Sequence, residues 1–270
     1  MKKILGMLNM IALTSTISTN VVACLGVEEL KQKTQQDTIY IDNNGKQVTT
    51  NERDLFAINS KEVIQIGFYK NSNEEIQAVR MPRTIEKVPK QLPAAITSLK
   101  NMFSGATIFN QDLSNWDTSN VTNMSDMFNN ASLFNGNIAK WNVSNVRDMS
   151  SMFRGARSFN KNIAKWNVSN VWWMTYMFGE AATFNGNIAK WNTFNVRDMS
   201  GMFANATSFN KNIAKWNVSN VWWMTYMFGE AATFNGNIAN WNTFNVRDMR
   251  VCLLMQRHLI KIFQIEILQM

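Results

Sequence analysis

The chain has 270 residues, is 46% hydrophobic, and is basic, with 27 Lys plus Arg against 19 Asp plus Glu. One histidine and two cysteines leave no His/Cys set with metal-ligand spacing and no disulfide framework. The positive charge is scattered without any run of Lys or Arg, which argues against a nucleic-acid groove. The apolar content is concentrated in 18 Met, 17 Phe and 10 Trp, a bias that points to a repeated unit.

Residues 1–23 read as an export signal. Lys2 and Lys3 form a charged start, a mostly apolar stretch follows, and Val21-Val22-Ala23 leads into Cys24. The stretch is too short and too rich in Ser and Thr for a spanning helix. Val21-Val22-Ala23-Cys24 resembles the lipobox of bacterial lipoproteins. The resemblance implies cleavage before Cys24 and a diacylglyceryl group on its thiol, the only cofactor-like group expected. Two acyl chains suffice for stable membrane attachment where one is marginal. The expected location is therefore the extracellular face of the cell membrane, with the membrane itself as a partner through the lipid.

Residues 24–60 are polar and read as a lipidated tether, with one strand expected at Thr38–Ile41 before a turn over residues 42–45. Residues 61–100 read as an N-terminal cap, because a stacked repeat must hide its terminal apolar face. From 101 to 249 a 25-residue repeat dominates. Trp116, Trp141, Trp166, Trp191, Trp216 and Trp241 keep the step, as do Val121 to Val246 and Met124 to Met249. Such a period means stacked units, none able to bury its apolar side alone. Within one unit, Val121, Met124, Met127, Phe128, Ala131 and Phe134 are spaced by three and four, which predicts a short helix. Residues 137–141 read as one strand. The expected fold is thus an α/β repeat: a leucine-rich-repeat-like solenoid of strand-turn-helix coils, its strands forming a parallel sheet.

The run from Phe109 through Asn115-Trp116-Asp117-Thr118-Ser119-Asn120-Val121 to Met124 resembles BspA-like leucine-rich-repeat proteins, in the form found in mycoplasma-type surface lipoproteins. The resemblance covers about residues 61–249. It implies a surface location and a repeat fold, and leaves the ligand open.

Two features speak of gene history. Residues 159–199 and 209–249 are identical except for Lys190 against Asn240, the mark of a duplicated two-repeat block. At the other end, Cys252-Leu253 stands where the repeat calls for Met-Phe. Codons can be chosen for residues 250–270 that, read from the third base of codon 250, spell Ser-Met-Phe-Ala-Asn-Ala-Thr-Ser-Phe-Asn-Gln-Asp-Ile-Ser-Asn. The run from Met to the first Phe-Asn reproduces residues 202–210, and a TGA triplet then falls where tryptophan belongs. This predicts that 250–270 is a frameshifted tail in a gene reading TGA as tryptophan, which the DNA sequence tests.

No catalytic constellation emerges. The lone His258 lies in the suspect tail, no glycine-rich loop precedes a helix, and Asp148, Asp198 and Asp248 recur singly beside Arg147, Arg197 and Arg247, as solvated charges do. The chain is expected not to be an enzyme and to hold no metal. The repeated Trp and Phe positions read as core. The exceptions are Trp172, Trp173 and Tyr176, copied at Trp222, Trp223 and Tyr226, where sister repeats hold Thr122-Asn123 or Arg147-Asp148. An aromatic recognition strip and a neutral substitution copied by duplication are the two readings. Lys140, Lys161, Lys165, Lys190, Lys211 and Lys215 could meet acidic glycans or keep the array soluble. The expected function is interaction: adhesion to a host or surface protein or glycan, or antigen display, with no small-molecule substrate. The alternatives are a solute-capture or enzymatic lipoprotein acting through residues 25–100, and the truncated product of a decaying gene.

Overall fold

A computed structural model describes residues 33–252. Among the described residues, those from Gln35 to Cys252 form one compact unit. Cys24 with its lipobox, and the tail from residue 253 with His258, lie outside the described residues.

The unit begins with short antiparallel pairings. β1 (Thr38–Ile41) lies between β2 (Gln47–Thr50) and β3 (Glu62–Gln65), with Thr38 opposite Thr50 and Tyr40 opposite Val63. β4 (Phe68–Lys70) pairs with β5 (Ile76–Ala78). Much of what reads as a tether therefore belongs to the fold, since residues 35–60 carry both β1 and β2. Thr38 is fully buried beside Gly67, where any Cβ would collide with the threonine hydroxyl.

Beyond β5 the chain winds in coils, of 25 residues from Ser98 onward. Gln77 bridges Ser98, and the parallel bridge then passes through Asn123, Asp148, Trp173, Asp198 and Trp223 to Asp248. Each coil touches the next through this one extended residue and through hydrogen bonds in its turns.

The expected strand-turn-helix coil is not what forms. Among the described residues there is no helix, and residues 137–141 are turn and loop, so the parallel contact falls at 123 and its equivalents instead. The three-and-four spacing is produced by linked turns. Met127 N–H donates to Met124 O, Asn129 to Asp126 O, Ala131 to Phe128 O and Phe134 to Ala131 O, all three residues back. Between them, the N–H groups of Asp126, Phe128 and Asn130 donate to the carbonyls of Ser150, Met152 and Arg154 in the next coil. The backbone can alternate in this way because it turns left-handed every fourth residue, at Asp126 (φ 57°) and Asn130 (φ 57°). The same two positions are left-handed in the sister coils, at Asn101 and Gly105, Ser151 and Gly155, and Gly201 and Asn205.

Spacing explains why turns win over helix. Equivalent phenylalanines in successive coils stack with ring centroids 5.5–6.0 Å apart, as in Phe103–Phe128 and Phe134–Phe159. Packed helices need about 8–10 Å between axes. A coil that must repeat at the separation of two stacked rings has no room for a helix. Three aromatic columns fill the interior: Phe103 to Phe228, Phe109 to Phe234, and Trp116 to Trp216. The core reading of these residues is borne out, since all are at most 4% exposed. Each tryptophan also has its indole N–H satisfied by the previous coil, Trp116 by Pro89 O at 3.0 Å and Trp141 by Leu113 O at 2.9 Å. Two asparagine ladders tie the coil edges. Asn135 Oδ1 accepts from Asn160 N–H and Asn160 Oδ1 from Asn185 N–H, while Asn145 and Asn170 donate through Nδ2 to Ser119 O and Ser144 O.

The 25-residue register persists to the last described residue. Cys252 stands in the methionine column, buried, its carbonyl accepting from Phe228 N–H as Met227 O accepts from Phe203 N–H.

Candidate interaction face

The residues flanking the bridge column form the most distinctive surface of the coils. In each coil one pair beside the bridge is partly or fully exposed: Thr122-Asn123, Arg147-Asp148, Trp172-Trp173, Arg197-Asp198 and Trp222-Trp223, each between two buried residues, and Arg247-Asp248 in the last, more open coil. Arginine and tryptophan therefore alternate down one column, aspartate and tryptophan down its neighbour. Trp172 is 45% exposed.

Arginines and indoles interlock. The Arg147 guanidinium lies 5.5 Å from the Trp172 ring, and Trp222 has Arg197 and Arg247 at 5.6 and 5.3 Å. Contacts of this type contribute about 0.5–1 kcal/mol at exposed sites and fix the guanidinium plane. Trp223 meets Trp222 edge to face at 5.5 Å. Arg147, Arg197 and Arg247 thus lie within cation–π reach of these rings, while Arg147 and Arg247 stay exposed, as solvated charges do. Among the described residues none of the three forms an ion pair with Asp148, Asp198 or Asp248. The aspartates instead brace their own turns. Asp148 and Asp198 Oδ1 accept from the N–H groups of Ser150 and Ser200 at 2.8 and 2.7 Å. Asp248 is additionally clamped by Arg250, whose side-chain and backbone donors hold its carboxyl down at about 2.

Tyr176 and Tyr226 border the tryptophan pairs at the left-handed position, with φ of 52° and 58°. A bulky side chain there costs about 1–3 kcal/mol, which neighbours must compensate. The surroundings are cut to fit. A Cβ on Gly201 would lie 2.3 Å from the Tyr176 ring, and one on Gly229 would lie 2.2 Å from the Tyr226 ring. Arg154 sits 4.9 Å above Tyr176 and pairs with Glu180 at 3.1 Å, while Tyr226 donates to Glu230 at 2.8 Å. Desolvation, followed by that acceptor and its charge, pushes the Tyr226 hydroxyl pKa up.

Of the six aromatic residues singled out from sequence, the four tryptophans thus occupy the partly exposed bridge slots, and the two tyrosines follow three residues on at the left-handed turn. Sequence reading misses the arginines that interleave them. Their 50-residue alternation with tryptophan is the signal that could have found them. Lys140, Lys165, Lys190 and Lys215 form a separate exposed column, one per coil.

A second feature lies in the β-region. A cavity of about 360 Å³ is lined by Arg53, Asp54, Tyr69, Glu75, Arg80 and Lys100, among others. Arg53 stacks on Tyr69 at 4.6 Å, and Arg80 reaches Asp54 at 3.5 Å. No group of three His, Cys, Asp or Glu able to hold a metal occurs among the described residues. Burial pushes the Cys252 thiol up to about 12, far from a reactive thiolate.

These features define a class: a repeat protein of stacked, helix-free coils whose interior is uniform and whose exposed columns differ from coil to coil. Residues 83–188 and 161–259 match the family described as "Mycoplasma protein of unknown function, DUF285", and the chain belongs to that family. No curated protein and no solved structure matches it.

Proposed function

We propose that this chain is a lipid-anchored surface protein of the cell membrane whose coils display an interaction face, serving adhesion or antigen display and no catalysis. The observation that carries this reading is the division of each coil into a repeated interior and a variable exterior, the pattern of a scaffold that presents side chains. Membership of a Mycoplasma repeat family and the likeness of its motif to BspA-like surface proteins support it. The lipobox ending at Cys24 supports the anchor. The test is metabolic labelling with palmitate combined with protease treatment of intact cells. We expect label on the parent chain and none on Cys24→Ser, with coil peptides released by the protease. An unlabelled or fully protected chain would overturn the reading.

A second reading draws on the cavity beside β4 and β5, where Arg53, Arg80 and Lys100 face Asp54 and Glu75. Charges of both signs in one cavity suit capture of a zwitterionic solute. Equilibrium dialysis against labelled amino acids tests it: retention by the parent and loss in Lys100→Ala supports capture, and no retention removes it.

A further inference from the structure

The exposed columns allow the ligand class to be named, an inference that rests on the display reading above. We propose that the face formed by Arg147, Trp172, Trp173, Arg197, Trp222 and Trp223 binds an extended neutral polysaccharide lying along the coil axis.

Three observations point to this ligand. The first is chemical type. The face offers indole surface, fixed guanidinium donors and aspartate acceptors side by side. A sugar ring offers the counterparts: an apolar C–H face and hydroxyls that both accept and donate. The second is charge. Arg147 and Arg197 are matched one for one by the neighbouring Asp148 and Asp198, so the face has little net charge to attract a polyanion. An acidic polymer would prefer the exposed column of Lys140, Lys165, Lys190 and Lys215. The third is period. The tryptophan pairs recur every second coil, roughly 10–12 Å apart, taking ~4.8 Å per parallel rung at the bridge column and the 5.5–6.0 Å between equivalent rings inside. That is close to two pyranose rings of an extended β-linked chain, in which every second ring presents the same face.

Preorganisation argues that the face is built and not drifted. Guanidiniums already held near an indole lose less freedom on binding than free ones. The left-handed Tyr176 and Tyr226 are accommodated by Gly201 and Gly229, whose missing side chains leave the space that the rings occupy.

Titration calorimetry of the full chain with chitohexaose, cellohexaose, chitobiose and a hyaluronan hexamer tests the proposal. A disaccharide reaches one tryptophan pair and a hexamer both. At least one neutral hexamer should therefore bind about tenfold or more tighter than the disaccharide. Trp222→Thr with Trp223→Asn should bring that hexamer to within about threefold of the disaccharide. These replacements are the residues of the sister coil at Thr122 and Asn123, and a thermal melt checks the fold. Lys165→Gln, Lys190→Gln and Lys215→Gln together should leave binding within about twofold, because that column lies elsewhere. Silence with both neutral hexamers, equal affinity for dimer and hexamer, or tighter binding of hyaluronan would each overturn the proposal. Palmitate labelling and cell-surface proteolysis are unaffected by any of these results, so the display reading stands or falls separately.

Discussion

The coil that starts at Val121 and the coil that starts at Val171 have the same interior and different exteriors. Both bury Val, Met, Met, Phe, Ala, Phe, Ile and Trp in one order, and their rings belong to the same columns. Outside, Thr122-Asn123 and Asp126 give way to Trp172-Trp173 and Tyr176. The comparison teaches that the fold is specified by inward positions and by the left-handed turns. Even the turn residue is free to change from Asp to Tyr, provided a neighbour clears the space.

Attacking the shared interior should have the largest effect. Phe178→Ala removes a ring stacked on Phe153, Phe184 and Phe203 in a column with no slack. A loss of about 3–5 kcal/mol in chemical denaturation is expected. A loss below about 1 kcal/mol would mean that the columns are not the source of stability.

Next comes the clearance beside tyrosine. Gly201→Ala places a Cβ both in a left-handed residue (φ 59°) and against the Tyr176 ring, and should cost about 1–3 kcal/mol. Adding Tyr176→Ser, the residue found at Ser151, should recover part of that loss. A double-mutant cycle with no coupling would break the claim that glycine and tyrosine are matched.

Converting one exterior into the other should matter least to folding. Trp172→Thr is expected to change stability by about 1 kcal/mol or less, the size of its single arginine–indole attraction. A change comparable to that of Phe178→Ala would show this tryptophan to be structural.

The smallest effect is electrostatic. Arg250 lowers the Asp248 carboxyl from an ordinary 3.8 to about 2. The contribution of that pair is present above the ordinary value and is lost as pH falls towards 2. A carboxyl titration followed by NMR should move back up in Arg250→Ala. An unmoved midpoint would remove the clamp.

Much of this is legible in the sequence. Six tryptophans at a fixed step locate the core and the number of coils, and Trp172 stands out because its slot holds Thr or Arg elsewhere. The helix is a misreading because spacing by three and four is common to a helix and to a chain of three-residue turns. Asp126 with Asn130, and Gly105, Gly155 and Asn205 at the second position, carry the contrary signal, being residues that tolerate left-handed backbone. The interleaved arginines escape because Arg147 and Asp148 are neighbours in sequence, whereas the ring that Arg147 meets is one coil away. The cavity at Arg53 and Lys100 has no sequence mark, since it is assembled from segments nearly fifty residues apart.

The ladder of hydrogen bonds between coils has a mechanical consequence. The N–H groups of Asp126, Phe128 and Asn130 bond forward, to the coil 25 residues on, so each coil is fastened to its neighbour as well as to itself. Tension applied across the array would peel coils singly from an end, in the manner of a zip. Each release would add one coil of slack, on the order of 80–90 Å of contour at the reach of an extended chain. A protein of this build would yield stepwise under load, lengthening by one coil at a time while the remaining coils keep their columns and their face intact.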